Sequence, residues 1–391
     1  MQQLAGALRT YPWGSRSYLA QLLGEPVPSP RPEAELWFGA HSAAPSTIEG
    51  AGLDEIIAAD PETALGERVR HDFGDGLPFL LKLLAADEPL SLQAHPSKAQ
   101  AEEGFARENE TGPALDNPRR NYKDPNHKPE LIVALTEFTA LAGFRPYALT
   151  QQLFDALRCP DLDRYTVMID PAEEKVSLRA LFTTWISIPS TARDALIASV
   201  KDSAGNLADD PGWMGQAVRN FLSLEAKYPG DVGALAALLL NLVTLEPGEG
   251  LFLSAGNLHA YMHGMGVEIM ANSDNVLRGG LTSKHVDVPE LVKVVDFSPL
   301  DDPTVETTPE GSGVRYASPC RDFILSRYDL APGESTVVDS DGPAEILCTA
   351  GSARCEAGDL TPGSAVWVPA ADGPATVSAG ARGCQLFYAR V

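Results

Sequence analysis

Cysteine is scarce in this chain. The 391 residues contain five, Cys159, Cys320, Cys348, Cys355 and Cys384, an odd number, widely spaced and with no CxxC pair. That excludes a disulfide framework and a thiolate zinc site, and it fits the cytoplasm. Positive charge is short as well: 30 Lys+Arg stand against 53 Asp+Glu, a formal net charge of -23. Such a surface repels nucleic-acid backbones and anionic membranes, so neither is an expected partner. It also repels a phosphorylated metabolite, so any phosphate-binding enzyme built on this chain must gather a local basic cluster. Long apolar runs are missing too. The most hydrophobic segment, residues 234–240, falls short of the roughly 17–25 residues that span a bilayer. The N-terminal MQQLAGALRTYPWGS lacks the charged and then apolar pattern of a signal peptide.

What is present is an ordinary globular composition, 44% hydrophobic and 21% charged, with no low-complexity tract. A chain of 391 residues exceeds the roughly 250–300 at which single cores stop growing, so more than one domain is expected. Residues 1 to 145 read as short β-runs, LWFGAH, PFLLKLL, LSLQAHP, ELIVAL and TALAGF, broken by Gly and Pro. From 150 to 245 the spacing turns helical in LTQQLFDAL, STARDALIASV, GWMGQAVRNFLSLEA and DVGALAALLLNLV, with Asp231 as an N-cap for the last. Strands return after Pro247-Gly248 with LFLSAG, HAYM, VEIMA and NVLRGG, and the tail adds FILSRYDL, AEILCTA and AVWVPA. The expected division is a β-domain from 1–149 and 246–300, a helical domain from 150–245, and a C-terminal β-domain from 301–391. The turn-then-strand pattern LTPGSAVWVP is of the kind found in double-sheet jelly rolls.

In LSLQAHP, Gln93 and His95 lie two apart, so on a strand both side chains leave the same face. Glu130 opens an apolar strand in NHKPELIVAL, where a carboxylate is costly unless paired or bound to a cation. His259 and His263 follow an apolar strand and a Gly turn. Each has a bland reading: a solvent-facing pair, an ion pair of Glu130 with Lys128, a packed imidazole. Together, two imidazoles, one carboxylate and one amide oxygen make a first shell for zinc with a position left open. With Glu130 the one anionic ligand, a divalent ion keeps about one positive charge and stays a Lewis acid.

The segment MANSDNVLRGGLTSKHVDVPEL concentrates Asp274, Asn275, Arg278 and Lys284, either an exposed charged turn or a ligand loop. Lys82 lies inside PFLLKLL, where a buried ammonium wants an anion. Lys98 begins a helix three residues after His95, where a phosphate would meet a cation and N-terminal amides, although snorkelling to solvent is simpler.

YPWGS, ELWFGAH, LQAHPSK, NHKPEL and HAYMHGMGVEIMANSDNVLRGGLTSKHVDVPEL together resemble the type I mannose-6-phosphate isomerases. The resemblance is carried by the β-rich residues 1 to 145 and 250 to 300. It implies cupin-type jelly-roll β-domains with an inserted all-α segment, a mainly β fold with a helical domain. It also implies one Zn2+ per chain on Gln93, His95, Glu130 and His259, and interconversion of mannose 6-phosphate and fructose 6-phosphate, a step that feeds GDP-mannose biosynthesis. Arg278 matches the family's catalytic-site arginine. Three positions depart from the pattern. Ser42 follows His41 where proline is common, Ser254 interrupts LFLPAG, and Ser283 replaces the proline of TPK; these touch turns, not ligands.

Aldose-ketose isomerisation needs a base near C1 and C2 and positive charge on the developing oxyanion. Arg278 is the expected oxyanion partner, and Lys128, Asp274 and His127 are the proton-transfer candidates. Ser91, Lys82, Lys98, Lys284, Tyr261 and Glu268 are the expected substrate or phosphate contacts. The partner is a small-molecule sugar phosphate, and the chain is expected to be a monomer. Two rivals remain. His95, Glu130 and His259 are also the ligand types of an iron-dependent cupin dioxygenase, which Gln93 and the cationic pocket disfavour. A sugar-binding regulator lacks any helix-turn-helix or basic face.

Overall fold

A computed structural model describes all 391 residues. It is built around one ten-stranded antiparallel sheet system, a second sheet of nine strands, and a helical block. The strands expected from the sequence form: Glu35–Phe38, Phe79–Ala86, Leu92–Ala94, Glu130–Ala134, Phe138–Phe144, Gly250–Leu253 and Leu277–Gly280. HAYM and VEIMA merge into one thirteen-residue strand, His259–Ala271. Its first half pairs with Leu92–Ala94 and Phe138–Phe144, its second half with Phe79–Ala86 and Glu130–Ala134. It therefore belongs to both layers of a sandwich. The change of layer is made at a bulge between Tyr261 and His263, followed by Gly264 at φ +117°. A Cβ there would lie 2.5 Å from the Glu137 carbonyl, so the crossing requires glycine.

Strand alternation sorts the side chains. In the first layer, Phe79, Leu81, Leu83, Leu131, Val133, Val267 and Ile269 face outward and share a core with Leu325, Leu347, Trp367 and Phe387 of the C-terminal sheet. Helices Leu53–Ala59 and Pro61–Phe73 add Leu53, Ile57, Leu65 and Val69 to this core. In the second layer, Leu92, Ala94, Leu141, Ala260 and Leu277 face outward into the apolar core of the helical block. The remaining face of each layer looks into the space between them. The C-terminal sheet takes in Gln2–Leu4 as an edge strand paired with Ala365–Val368.

Two expectations are revised. DVGALAALLLNLV is not one helix: Asp231 caps Val232–Ala237, accepting from the Gly233 amide, and the chain then becomes the strand Leu240–Leu245, paired with Phe138–Phe144. The segment is apolar all round, so period alone does not distinguish helix from strand. The helices Leu53–Ala59 and Pro61–Phe73 lie within the segment read as β-runs; they are parted at Asp60, which caps the second, with Pro61 at its first position. No helix is long and apolar enough to cross a membrane.

Candidate metal centre

The inward faces bring the candidate ligands together. His259 is paired in the ladder with Gln93, and Gln93 with Arg278, so three cross-strand neighbours share one face of the second layer. Glu130 projects from the first layer opposite them. His95 Nε2 lies 3.4 Å from Glu130 Oε1, and His259 Nε2 lies 3.2 Å from Glu130 Oε2. The imidazole rings are 5.1 Å apart. All three residues are buried, and their ligand atoms lie within 4.8 Å of one another.

Hydrogen bonding fixes what these atoms can do. His95 Nδ1 sits 2.7 Å from the carbonyl of Asn275, and His259 Nδ1 sits 2.9 Å from that of Asn257. A carbonyl accepts only, so each Nδ1 carries the proton and donates, leaving Nε2 with a bare lone pair. Burial, with Lys128 beside it, pushes the His95 pKa down to about 4 against the pull of Glu130, so the ring is neutral near pH 7. His95 Nε2 and Glu130 Oε2 accordingly have no hydrogen-bond partner, although both are buried. Lone pairs facing one another across 3.2–3.4 Å repel unless a cation lies between them. The Gln93 amide reaches within 3.5 Å of His259 Nε2, and turning the amide over offers its oxygen at the same place. The donor set and its carbonyl-held imidazoles thus fit a divalent ion.

The surrounding charges agree. Lys128 Nζ is 2.8 Å from Glu130 Oε1. Burial works against the Glu130 carboxylate, but Lys128 and His95 outweigh it and hold its pKa well below the usual range. On the same inward face, Lys82 lies 2.9 Å from Glu268 and 3.7 Å from Glu35, under the Trp37 ring. Burial disfavours the Lys82 ammonium, yet Glu268 and Glu35 hold its pKa above the ordinary lysine value. Glu35, Glu130 and Glu268 against Lys82 and Lys128 leave this interior one negative charge in excess, which a cation would reverse. Fully buried Tyr261, whose hydroxyl has no hydrogen-bond partner, completes the floor.

The other predicted residues lie around this centre or away from it. Arg278, half-buried and without an ion pair, has its pKa lowered by burial. The Lys284 pKa is lowered by burial and by the charges of Arg278 and Lys123, so three cations lie near one another, with Asp274 beside Lys123. Asp274 is held low by His41, whose Nε2 lies 3.5 Å away. Because His41 Nδ1 accepts from the Ala43 amide, its Nε2 bears the proton and faces Asp274. Ser91 precedes the strand Leu92–Ala94 and shares the parity of Gln93. His127 turns elsewhere, 2.9 Å from both oxygens of Asp322. Lys98 does begin a helix, Lys98–Thr111, capped by Ser97, but its ammonium bonds to Asn126 at 2.6 Å and lines a separate cavity of about 550 Å³. Sequence reasoning missed His41, Glu35, Lys123 and Asp322. Glu35 and His41 stand in the quoted motif ELWFGAH; for Glu35, parity with Trp37 on the buried strand Glu35–Phe38 was the available signal, whereas His41 lies beyond that strand's end.

Residues 1–147 match the model of the phosphomannose isomerase type I catalytic domain. Mannose-6-phosphate isomerase of Escherichia coli K12 is 37% identical over 99% of each chain. The chain belongs to the mannose-6-phosphate isomerase family. Mannose-6-phosphate isomerase 1 of Arabidopsis thaliana is 34% identical over 95% of this chain and 89% of its own. Among solved structures, a substituted form of phosphomannose isomerase from Salmonella typhimurium superposes with a TM-score of 0.90 at 35% identity, covering 100% of this chain and 98% of that one. A mannose 6-phosphate isomerase bound with zinc and yttrium superposes at 0.89, with the same identity and coverage. The family's fold, two cupin-type β-parts with a helical segment, is the one described above, and the chain is an aldose-ketose isomerase.

Proposed function

We propose that this protein holds one zinc ion on Gln93, His95, Glu130 and His259 and interconverts mannose 6-phosphate and fructose 6-phosphate by moving a proton between C1 and C2 through an enediol(ate). The observation that carries the reading is the pair of carbonyl-held imidazoles presenting bare Nε2 atoms to one buried carboxylate. When bound, the ion supplies Lewis-acid polarisation of the sugar oxygens.

The chain's own groups divide the remaining work. Arg278, cross-strand from Gln93, stabilises the oxyanion that develops as the C–H bond breaks. Of the three proton-transfer candidates, Lys128 has the geometry for the C1–C2 transfer, since its amine reaches the ligand cluster. Asp274, aligned by His41, serves ring opening from the more open side. Lys284 and Ser91 receive the phosphate and hydroxyls at the mouth, while Lys82, Glu268 and Tyr261 form the charged floor beneath the sugar. Lys98 acts at the outer edge. The chain divides into a catalytic β-part of 1–149 and 246–300, a helical part of 150–245 and a C-terminal β-part of 301–391; the last helix of the middle part ends at Ala237, and the strand Leu240–Leu245 after it already pairs with the catalytic strand Phe138–Phe144. Five free cysteines accord with a cytoplasmic protein.

The test is to incubate zinc-loaded protein with mannose 6-phosphate and follow fructose 6-phosphate, with and without a chelator. Turnover should vanish on chelation and return with zinc. Turnover that persists in metal-free protein overturns the reading.

A further inference from the structure

The stretch 123–129, between the helix Lys98–Thr111 and the strand Glu130–Ala134, makes no sheet ladder of its own. Its course depends on side chains reaching it from elsewhere. On one side stands Asn275, fully buried. Its Oδ1 accepts from the Lys123 amide at 2.7 Å, and its Nδ2 donates to the carbonyls of Asp124 and Asn126, each at 2.8 Å. On the other side stands Asp322 of the C-terminal β-part, both of whose oxygens lie 2.9 Å from His127 Nε2. This is not a loose surface contact, the kind worth at most about 1 kcal/mol. The Asp322 side chain is only 8% exposed and that of His127 27%. Phe323 beside it is sunk in the shared core, and Arg321 before it is tied to Asp72 at 2.8 Å. The carboxylate is therefore presented by a segment anchored on both sides, and His127 is its side-chain partner.

We propose that Asp322 is a positioning residue for the isomerase reaction: the C-terminal β-part fixes the His127 ring, and through it the aim of Lys128. The proposal rests on the function proposed above. The linkage is geometric. Pro129 steers the residue before it away from the helical region toward extended backbone, and residues 126–129 form no helix or turn. In an extended run, successive side chains leave opposite sides while i and i+2 share one. Lys128 and Glu130 accordingly lie together, 2.8 Å apart, and His127 projects away from them toward Asp322. A ring clamped by two carboxylate oxygens sets the rotation of the whole run, and with it the direction of the Lys128 amine. The carboxylate also fixes the tautomer, since it accepts from Nε2–H and leaves the lone pair on Nδ1. A reaction that moves a proton between adjacent carbons is sensitive to such aim, because misplacement by about 1 Å costs about 10²-fold.

The test uses full-length, zinc-loaded protein and measures kcat, KM, bound zinc and thermal midpoint for Asp322→Ala, Asp322→Asn, His127→Gln and the double variant Asp322→Ala with His127→Gln. Asp322→Ala should lower kcat about tenfold while KM stays within about twofold and zinc content is unchanged. Asp322→Asn, which keeps an acceptor for Nε2–H, should recover most of kcat, and it carries the test if the alanine variant folds poorly. The double variant should be no slower than His127→Gln alone, because the two act as one unit. Multiplying effects, loss of zinc, or unchanged kcat well below the thermal midpoint each overturn the proposal. An inactive zinc-loaded parent overturns the functional reading and this proposal with it; an active parent with indifferent variants overturns this proposal alone.

Discussion

Two buried strand positions, Lys82 in the catalytic part and Glu345 in the C-terminal part, meet opposite fates. In the catalytic part, strands from both layers send Lys82, Glu130, Glu268, His95 and His259 into one interior, where every charge has a counter-charge or faces a cation site. In the C-terminal part, the strand Ala344–Cys355 carries a single buried carboxyl, Glu345, with 0% exposure and no partner for either oxygen. It lies two residues before Leu347, on the face toward the shared core, with Trp367 and Ala389 as cross-strand neighbours. Burial alone pushes its pKa up to about 8. Lys82 at equal depth is held charged because two carboxylates reach it. Burial by itself, then, neutralises a group. Opposite charges brought in from other strands keep Lys82 and Glu130 charged, while His95 among them is left neutral with a free lone pair, and the mixture makes a reactive interior.

That contrast can be broken from either side. The largest effect is expected for His259→Ala, which should abolish bound zinc and lower turnover by about 10⁴-fold or more, about 5 kcal/mol; full zinc occupancy in the variant, by elemental analysis, would reject the ligand assignment. Next comes Lys82→Met, which leaves Glu268 and Glu35 buried without their cation. It should destabilise the fold by about 3–5 kcal/mol, seen in denaturant unfolding, and a neutral result would mean that the interior tolerates unpaired carboxylates as the C-terminal part does. Arg278→Ala should retain zinc and lose about 10²-fold in kcat. A rise in KM with kcat intact would instead make Arg278 a binding residue.

The smallest effect belongs to Glu345→Gln. A carboxyl raised to about 8 in the folded state contributes stability that is fully present below its unfolded pKa, about 4.5, and is lost as pH rises through about 8. The parent should therefore lose stability between these limits more steeply than the glutamine variant, which should exceed it at pH 9 by about 1 kcal/mol or more. Parallel pH profiles of the thermal midpoint would show that Glu345 has a partner or is hydrated.

The sequence was most legible where chemistry and period coincide. Gln93 and His95 stand out because a two-residue spacing on a strand is a geometric statement, and Lys82 because a lysine within PFLLKLL must find an anion. Asp322 was not legible. It meets His127 from far along the chain, at the end of a loop with no period, and only the packing of one sheet against another brings it there. His41 lay in a quoted motif, but its use as a donor to Asp274 depends on the Ala43 amide fixing its tautomer, a local turn that residue types do not announce. The break after Ala237 was hidden because Leu238, Leu239 and Leu240 suit a buried helix and a buried strand equally.

The pairing of Gln2–Leu4 with Ala365–Val368 bears on how the molecule is made. Gln2 must wait for Trp367, its ladder partner, through the synthesis of all that lies between them. The second sheet is therefore assembled last, and a nascent chain carries an exposed, unpaired edge until then. Freeing Gln2–Leu4 would also uncover one edge of the Trp367 strand. A protease probing the native state should find Gln2–Leu4 and the strand Ala365–Val368 opening together.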